Sequence, residues 1–271
     1  MPRGDDNTDV LLYAGVGAIA AGLAWAFWPR TADAPSLHSY APAPTEAPVT
    51  MPAFLAVAPP AGAVRERYFE AAVDAPTFVR IPLGQGVEVA VATDYLTAQG
   101  VRVPLWPSTA QRVADRFGAM LPTKRLVDAI WRAAVVKVAP RSMTPRPDAS
   151  RDSNKLLAEH EALVNAAIAG RTGLTDGDKK SIIVGRSIPT TPGKVFIYGW
   201  HSLAGVPVQP VYGGHSARYA DYSHGIRLVS RTAYVNGVPT PIETLFASPQ
   251  YAPLLNESGT LTPAMLRYPT S

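Results

Sequence analysis

At 271 residues the chain is long enough for one large domain or two small ones, and it can close an ordinary core without covalent staples. The absence of cysteine excludes a disulfide framework, a thiolate metal site, an iron–sulfur cluster and a cysteine nucleophile. A net charge of +4, with Lys and Arg scattered, is weak basicity suited to an anionic envelope polymer; no basic run interleaved with aromatics suggests a nucleic-acid partner.

Residues 1–9 make a tail too short to fold. Residues 10–28 (VLLYAGVGAIAAGLAWAFW) are uncharged and, as a helix, would match the roughly 30 Å hydrocarbon core of a bilayer. Trp25 and Trp28 suit the membrane interface, and Pro29 stops the helix. A single-pass anchor is preferred to a cleaved signal peptide, because the preceding segment carries more acid than base and no small-x-small cleavage pattern follows. Arg3 and Arg30 flank the span about equally, so charge barely sets its orientation. Residues 29–62 are rich in Pro and Ala, the composition of a semi-rigid spacer. The working domain is therefore expected in residues 63–271, held outside the membrane, periplasmic or beyond.

Within that domain, residues 63–73 suggest a short helix, and residues 77–81 and 87–93 alternate as strands. Ser108 is a candidate cap for a helix over residues 108–120. The break at Leu121-Pro122-Thr123 starts another helix, with Leu126, Val127, Ile130, Trp131 and Val135 along one side. A Pro/Ser/Arg loop at 140–152 precedes a helix over 153–169. Strands are then expected at 181–184, 194–200, 206–212 and 226–235, with Asn236-Gly237 as a hairpin turn. Helices first and a largely antiparallel sheet later predict a single α+β domain.

Three of the five histidines, His201, His215 and His224, fall in one stretch with Asp221 beside them. Loops at strand ends can gather such groups over a rigid sheet. As metal ligands, His201, His215, Asp221 and His224 would suit zinc, with Arg227 or Tyr222 stabilising developing negative charge. Without metal, His201 or His224 would serve as base and acid, with Asp221 orienting an imidazole. A plain structural reading has the same residues completing a polar core. Trp200, Tyr212, Tyr219 and Tyr222 are the candidate substrate-binding aromatics. There is no HExxH and no Gly-x-Ser-x-Gly elbow.

The segment SHGIRL resembles the SHGC(I/V)RL signature of L,D-transpeptidases, but the cysteine of that motif is missing and the activity does not carry over. Together LPTKRLVDAIWRAA, DKKSIIV and KVFIYGWH...GVPVQPVY..H...YADYSHGIRLV resemble a family of uncharacterised bacterial and phage-associated envelope or secreted proteins, across most of residues 86–235. That resemblance implies one domain and an extracytoplasmic location. The expected function is a membrane-anchored cell-envelope hydrolase acting on peptidoglycan. The alternative is a noncatalytic envelope-binding or assembly module with an aromatic surface.

Overall fold

The computed structural model describes residues 50–270. The span expected at residues 10–28 and most of the spacer lie outside the described residues. Among the described residues no helix is long and apolar enough to cross a membrane.

The elements run α1 (Ala53–Ala56), α2 (Ala63–Ala72), β1 (Phe78–Gly84), β2 (Val87–Ala92), β3 (Thr97–Ala98) and β4 (Val101–Arg102). Then come α3 (Pro107–Arg116), β5 (Ala119–Met120), α4 (Lys124–Ala133), β6 (Val136–Lys137), α5 (Asn154–Ile168), β7 (Thr175–Asp176) and β8 (Lys180–Ile182). The remainder is β9 (Ile197–His201), β10 (Pro207–Tyr212), β11 (His224–Gly225), β12 (Val229–Val235), β13 (Val238–Pro241), α6 (Ile242–Ala247), α7 (Ala252–Leu255) and a 3-10 turn at Pro263–Leu266. The α+β class stands, and the sheets are mostly antiparallel, with β8–β11 and β6–β7 as parallel pairs.

Two sheets share one hydrophobic core. The first is ordered β1-β2-β12-β13, with β5 also on β12; it joins early strands to late ones across the intervening helices. The second is ordered β10-β9-β8-β11. The strand expected at residues 226–235 starts later, at Val229, and a separate short strand precedes it. His224–Gly225 pairs in the second sheet and Val229–Val235 in the first, so the chain crosses between sheets at Ile226–Leu228, where Leu96 N–H bonds Ile226 O and Ala92 N–H bonds Leu228 O. Asn236 and Gly237, both at positive φ, close the β12–β13 hairpin, as an Asn-Gly pair favours.

Three helices, α3, α4 and α5, supply buried side chains to the interior. Thr123 caps α4 by accepting the Leu126 N–H, and the helix buries Leu126, Val127, Ile130 and Trp131, each burial being worth about 1.5–3 kcal/mol. The predicted stripe fails at Val135, which is 71% exposed, because Ala134 is already extended and ends the helical period. Helix α3 starts at Pro107, so Ser108 is not its cap. Proline is pre-set for the first helical position, and the preceding Trp106 N–H is satisfied by Glu66 Oε2 at 2.8 Å. Helix α5 is capped by Ser153 and contributes His160 and Glu161 to the interior.

Candidate active site

Lys179 and Lys180 enter β8 as neighbours, and strand alternation sends their side chains to opposite sides. Lys180 pairs in register with His224 of β11 on one flank and Gly199 of β9 on the other. This ladder places the Asp-Tyr-Ser-His segment beside Lys180, whose Nζ lies 4.7 Å from the Trp200 ring centroid.

On that side four side chains meet. The His215 ring centroid is 4.5 Å from that of Tyr219 and 5.9 Å from that of His224, and Tyr219 is 5.6 Å from His224. Asp221 organises the loop: its Oδ1 accepts from Ser223 N (2.8 Å) and Ser223 Oγ (2.6 Å), and its Oδ2 accepts from Tyr219 Oη (2.9 Å). Tyr212 packs edge-on against His215 at 5.0 Å. A side chain at Gly214 would collide with Tyr212, its Cβ falling 2.2 Å from the hydroxyl, so the Gly-Gly turn is what lets that ring lie close.

His224 is fully buried and neither ring nitrogen has a hydrogen-bond partner, while His215 and Tyr219 are partly exposed. Burial drives the His224 pKa down to about 4, although Asp221 pulls the other way. His215 is also lowered, chiefly by burial. Burial works to raise Asp221, but His224 and the bonds from Ser223 and Tyr219 outweigh it and hold the carboxyl below its ordinary value. Lys180 is lowered, mainly by burial. The resting arrangement near neutral pH is thus two neutral imidazoles beside a fixed carboxylate.

The other sequence candidates lie elsewhere. His201 has its own neighbourhood: Nε2 is 3.0 Å from Asp128 Oδ1, the ring stacks on Trp131 at 5.3 Å, and Tyr198 Oη donates to the same Asp128 oxygen at 2.8 Å. Gly199 and Trp200 both have positive φ, which breaks the alternation of β9 and brings Tyr198 and His201 to one carboxylate. Burial works to raise Asp128, but bonds from His201 and Tyr198 leave it lowered. These residues edge a cleft of about 570 Å³.

Arg227 sits in the core. Its guanidinium lies over Tyr95 at 4.1 Å and donates to Ala92 O, Thr175 O and Asp176 Oδ1. Tyr222 is buried against His160, with its hydroxyl bonding the Met143 backbone, and Trp200 is buried with Nε1 donating to Asp178 O at 3.1 Å. Of the four aromatics expected to bind substrate, only Tyr212 is well exposed and Tyr219 partly so.

Sequence reasoning missed a buried ionic network on the Lys179 side. Arg102 reaches Asp94 (2.6 Å), Glu161 (2.7 Å) and Asp178 (3.5 Å), while Lys179 Nζ donates to Tyr222 O at 2.7 Å and lies 3.1 Å from His160 Nδ1. Asp178 is completely buried with both carboxylate oxygens lacking hydrogen-bond partners, and burial, with Asp94 adding to it, raises its pKa. The signal was Thr175-Asp-Gly-Asp-Lys-Lys, a charged run set between Leu174 and the apolar Ile182-Ile183-Val184.

Among the described residues no group of three or more His, Asp or Glu side chains is disposed to hold a metal ion. His215 and His224 supply two imidazoles, but both Asp221 oxygens are already engaged by Ser223 and Tyr219. A third ligand from Asp221 would have to displace one of those bonds. Comparison of the chain with family models, curated proteins and solved structures finds no match.

Proposed function

We propose that the domain is an extracytoplasmic cell-envelope hydrolase acting on peptidoglycan, with its chemistry at His215, Tyr219, Asp221 and His224. The carrying observation is a pair of neutral imidazoles, one fully buried without partners and one reaching the surface, beside a carboxylate whose position is fixed by three hydrogen bonds. In this reading His215 takes a proton from the attacking water and returns it to the leaving group. His224, packed behind it, supports the proton exchange, and the Asp221 charge stabilises the imidazolium that forms. Were zinc to bind here, His215 and His224 would be its imidazole ligands, a third ligand would have to come from Asp221 by giving up one of its bonds, and the metal would supply acidification of water. The apolar stretch at residues 10–28 and the proline-rich spacer support membrane attachment with reach toward a wall polymer.

The binding-module alternative has less support, because Trp200 and Tyr222 are buried and do not form an aromatic surface with Tyr212. The test is digestion of purified cell walls by the full chain, with chelator and with added zinc, alongside His215→Asn and His224→Asn variants of unchanged circular dichroism. Soluble fragments should appear with wild type and fall about 10²–10⁴-fold in each variant, the usual contribution of an acid–base group. Absence of fragments under every metal condition would sink the proposal.

A further inference from the structure

The loop that carries His215 and Tyr219 has a second side. Between those residues, Ser216, Ala217 and Arg218 line a separate cleft of about 770 Å³, a size typical of ligand sites. The loop is fixed there by the Lys194–Ser216 bridge and by Ala217 N–H bonding Gly193 O at 2.8 Å. The cleft's walls are largely apolar, with Trp106, Ile188 and Tyr268 among them.

Its charged lining is one-sided: Lys194, Arg218 and Arg267 contribute, and no Asp or Glu does. Arg267 is partly neutralised by Asp115 at 2.8 Å, and Lys194 Nζ donates to Gly214 O at 3.0 Å. Arg218 is exposed, and among the described residues it has no carboxylate partner. An Arg fork over apolar walls is suited to a carboxylate carried on a partly apolar chain. The glycan backbone of a wall polymer offers far less of that charge than its cross-linking peptides.

We propose that this cleft binds the carboxylate-bearing peptide of the wall polymer, with Arg218 as the principal anion contact, on the same loop that carries His215. The assignment rests on the hydrolase reading for the identity of the polymer. It makes the peptide, not the sugar chain, the recognised part.

The test is equilibrium binding of the full chain to a fluorescent tetrapeptide L-Ala-γ-D-Glu-meso-diaminopimelate-D-Ala, to the same peptide with its carboxylates amidated, and to chitotetraose. The free-acid peptide should bind, with amidation weakening it about ten-fold, Arg218→Gln weakening it about five-fold, and chitotetraose showing no saturable binding. Asp128→Asn should leave peptide affinity unchanged, since that side chain does not line the cleft. Equal affinity for amidated peptide, an unaltered affinity in Arg218→Gln, or no peptide binding at all would overturn the assignment. Cell-wall digestion by the same preparations separates the two ideas: binding without cleavage defeats the hydrolase alone, and cleavage without peptide binding defeats the cleft alone.

Discussion

The two sides of β8 treat polar groups differently. Toward the interior, Asp94, Glu161, Asp176 and Asp178 face Arg102, Lys179 and Arg227, so four carboxylates meet three cations in a space where most of these side chains are fully buried. Toward the loops, Lys180, Asp221 and two imidazoles meet with fewer bonds, and His215 and Tyr219 reach solvent. The inner network has the stronger electrostatics and the poorer access. The outer cluster has weaker charge and an open face, which is what a reacting group requires. Perturbed ionisation alone would have favoured the inner side; the proposed function instead uses the outer one, where two of the side chains reach solvent.

The largest expected difference between the sides is in stability. Arg227→Met should cost about 3–5 kcal/mol, because it leaves Asp176 charged and buried, whereas Lys180→Met should cost about 1 kcal/mol or less. Urea unfolding at neutral pH measures both, and equal costs would break the comparison.

Acid should expose the next difference. The His224 pKa is depressed to about 4 in the folded chain, so its contribution is complete above its unfolded value near 6.5 and is lost as pH falls toward 4. That linkage amounts to about 3 kcal/mol, measurable as the pH-dependent part of unfolding free energy that disappears in His224→Gln.

Asp178 has the opposite sign. Its raised pKa means that folding favours its protonated form, so stability is lost as pH rises from the ordinary carboxylate range through the raised value. Asp178→Asn should therefore gain on wild type as pH increases, becoming equal or more stable above neutrality; urea midpoints across pH 5 to 9 would sharpen or remove this claim. The smallest effect concerns His201. Asp128→Asn disturbs only that separate neighbourhood and should leave wall cleavage within about two-fold of wild type, as expected for sites without shared partners.

Much of the fold was legible because its signals are local. The capped helix at Thr123, the helix after Ser153 and the Asn236-Gly237 hairpin each follow from short-range chemistry. The division of residues 224–235 between two sheets was not legible, because an apolar run carries no mark of which sheet each part joins. For the site, proximity in sequence grouped His215, Asp221 and His224, which the fold does bring near one another, but also drew in His201 and Arg227, which it does not. His201 turns away because two positive-φ residues rotate β9, and Arg227 points inward at the crossover between sheets. The ionic network was not legible because its members come from five separated segments and only the fold assembles them.

Tyr268 spans the second sheet from the far end of the chain: its hydroxyl accepts from Phe196 N at 3.0 Å and donates to Ile183 O at 2.8 Å, and its own N–H bonds Gln111. A ribosome therefore releases this segment only after every strand it fastens has been made. The nascent domain spends its synthesis with β8 and β9 unlatched by this hydroxyl, so the two strands must hold by their own pairing until the last turn of the domain arrives.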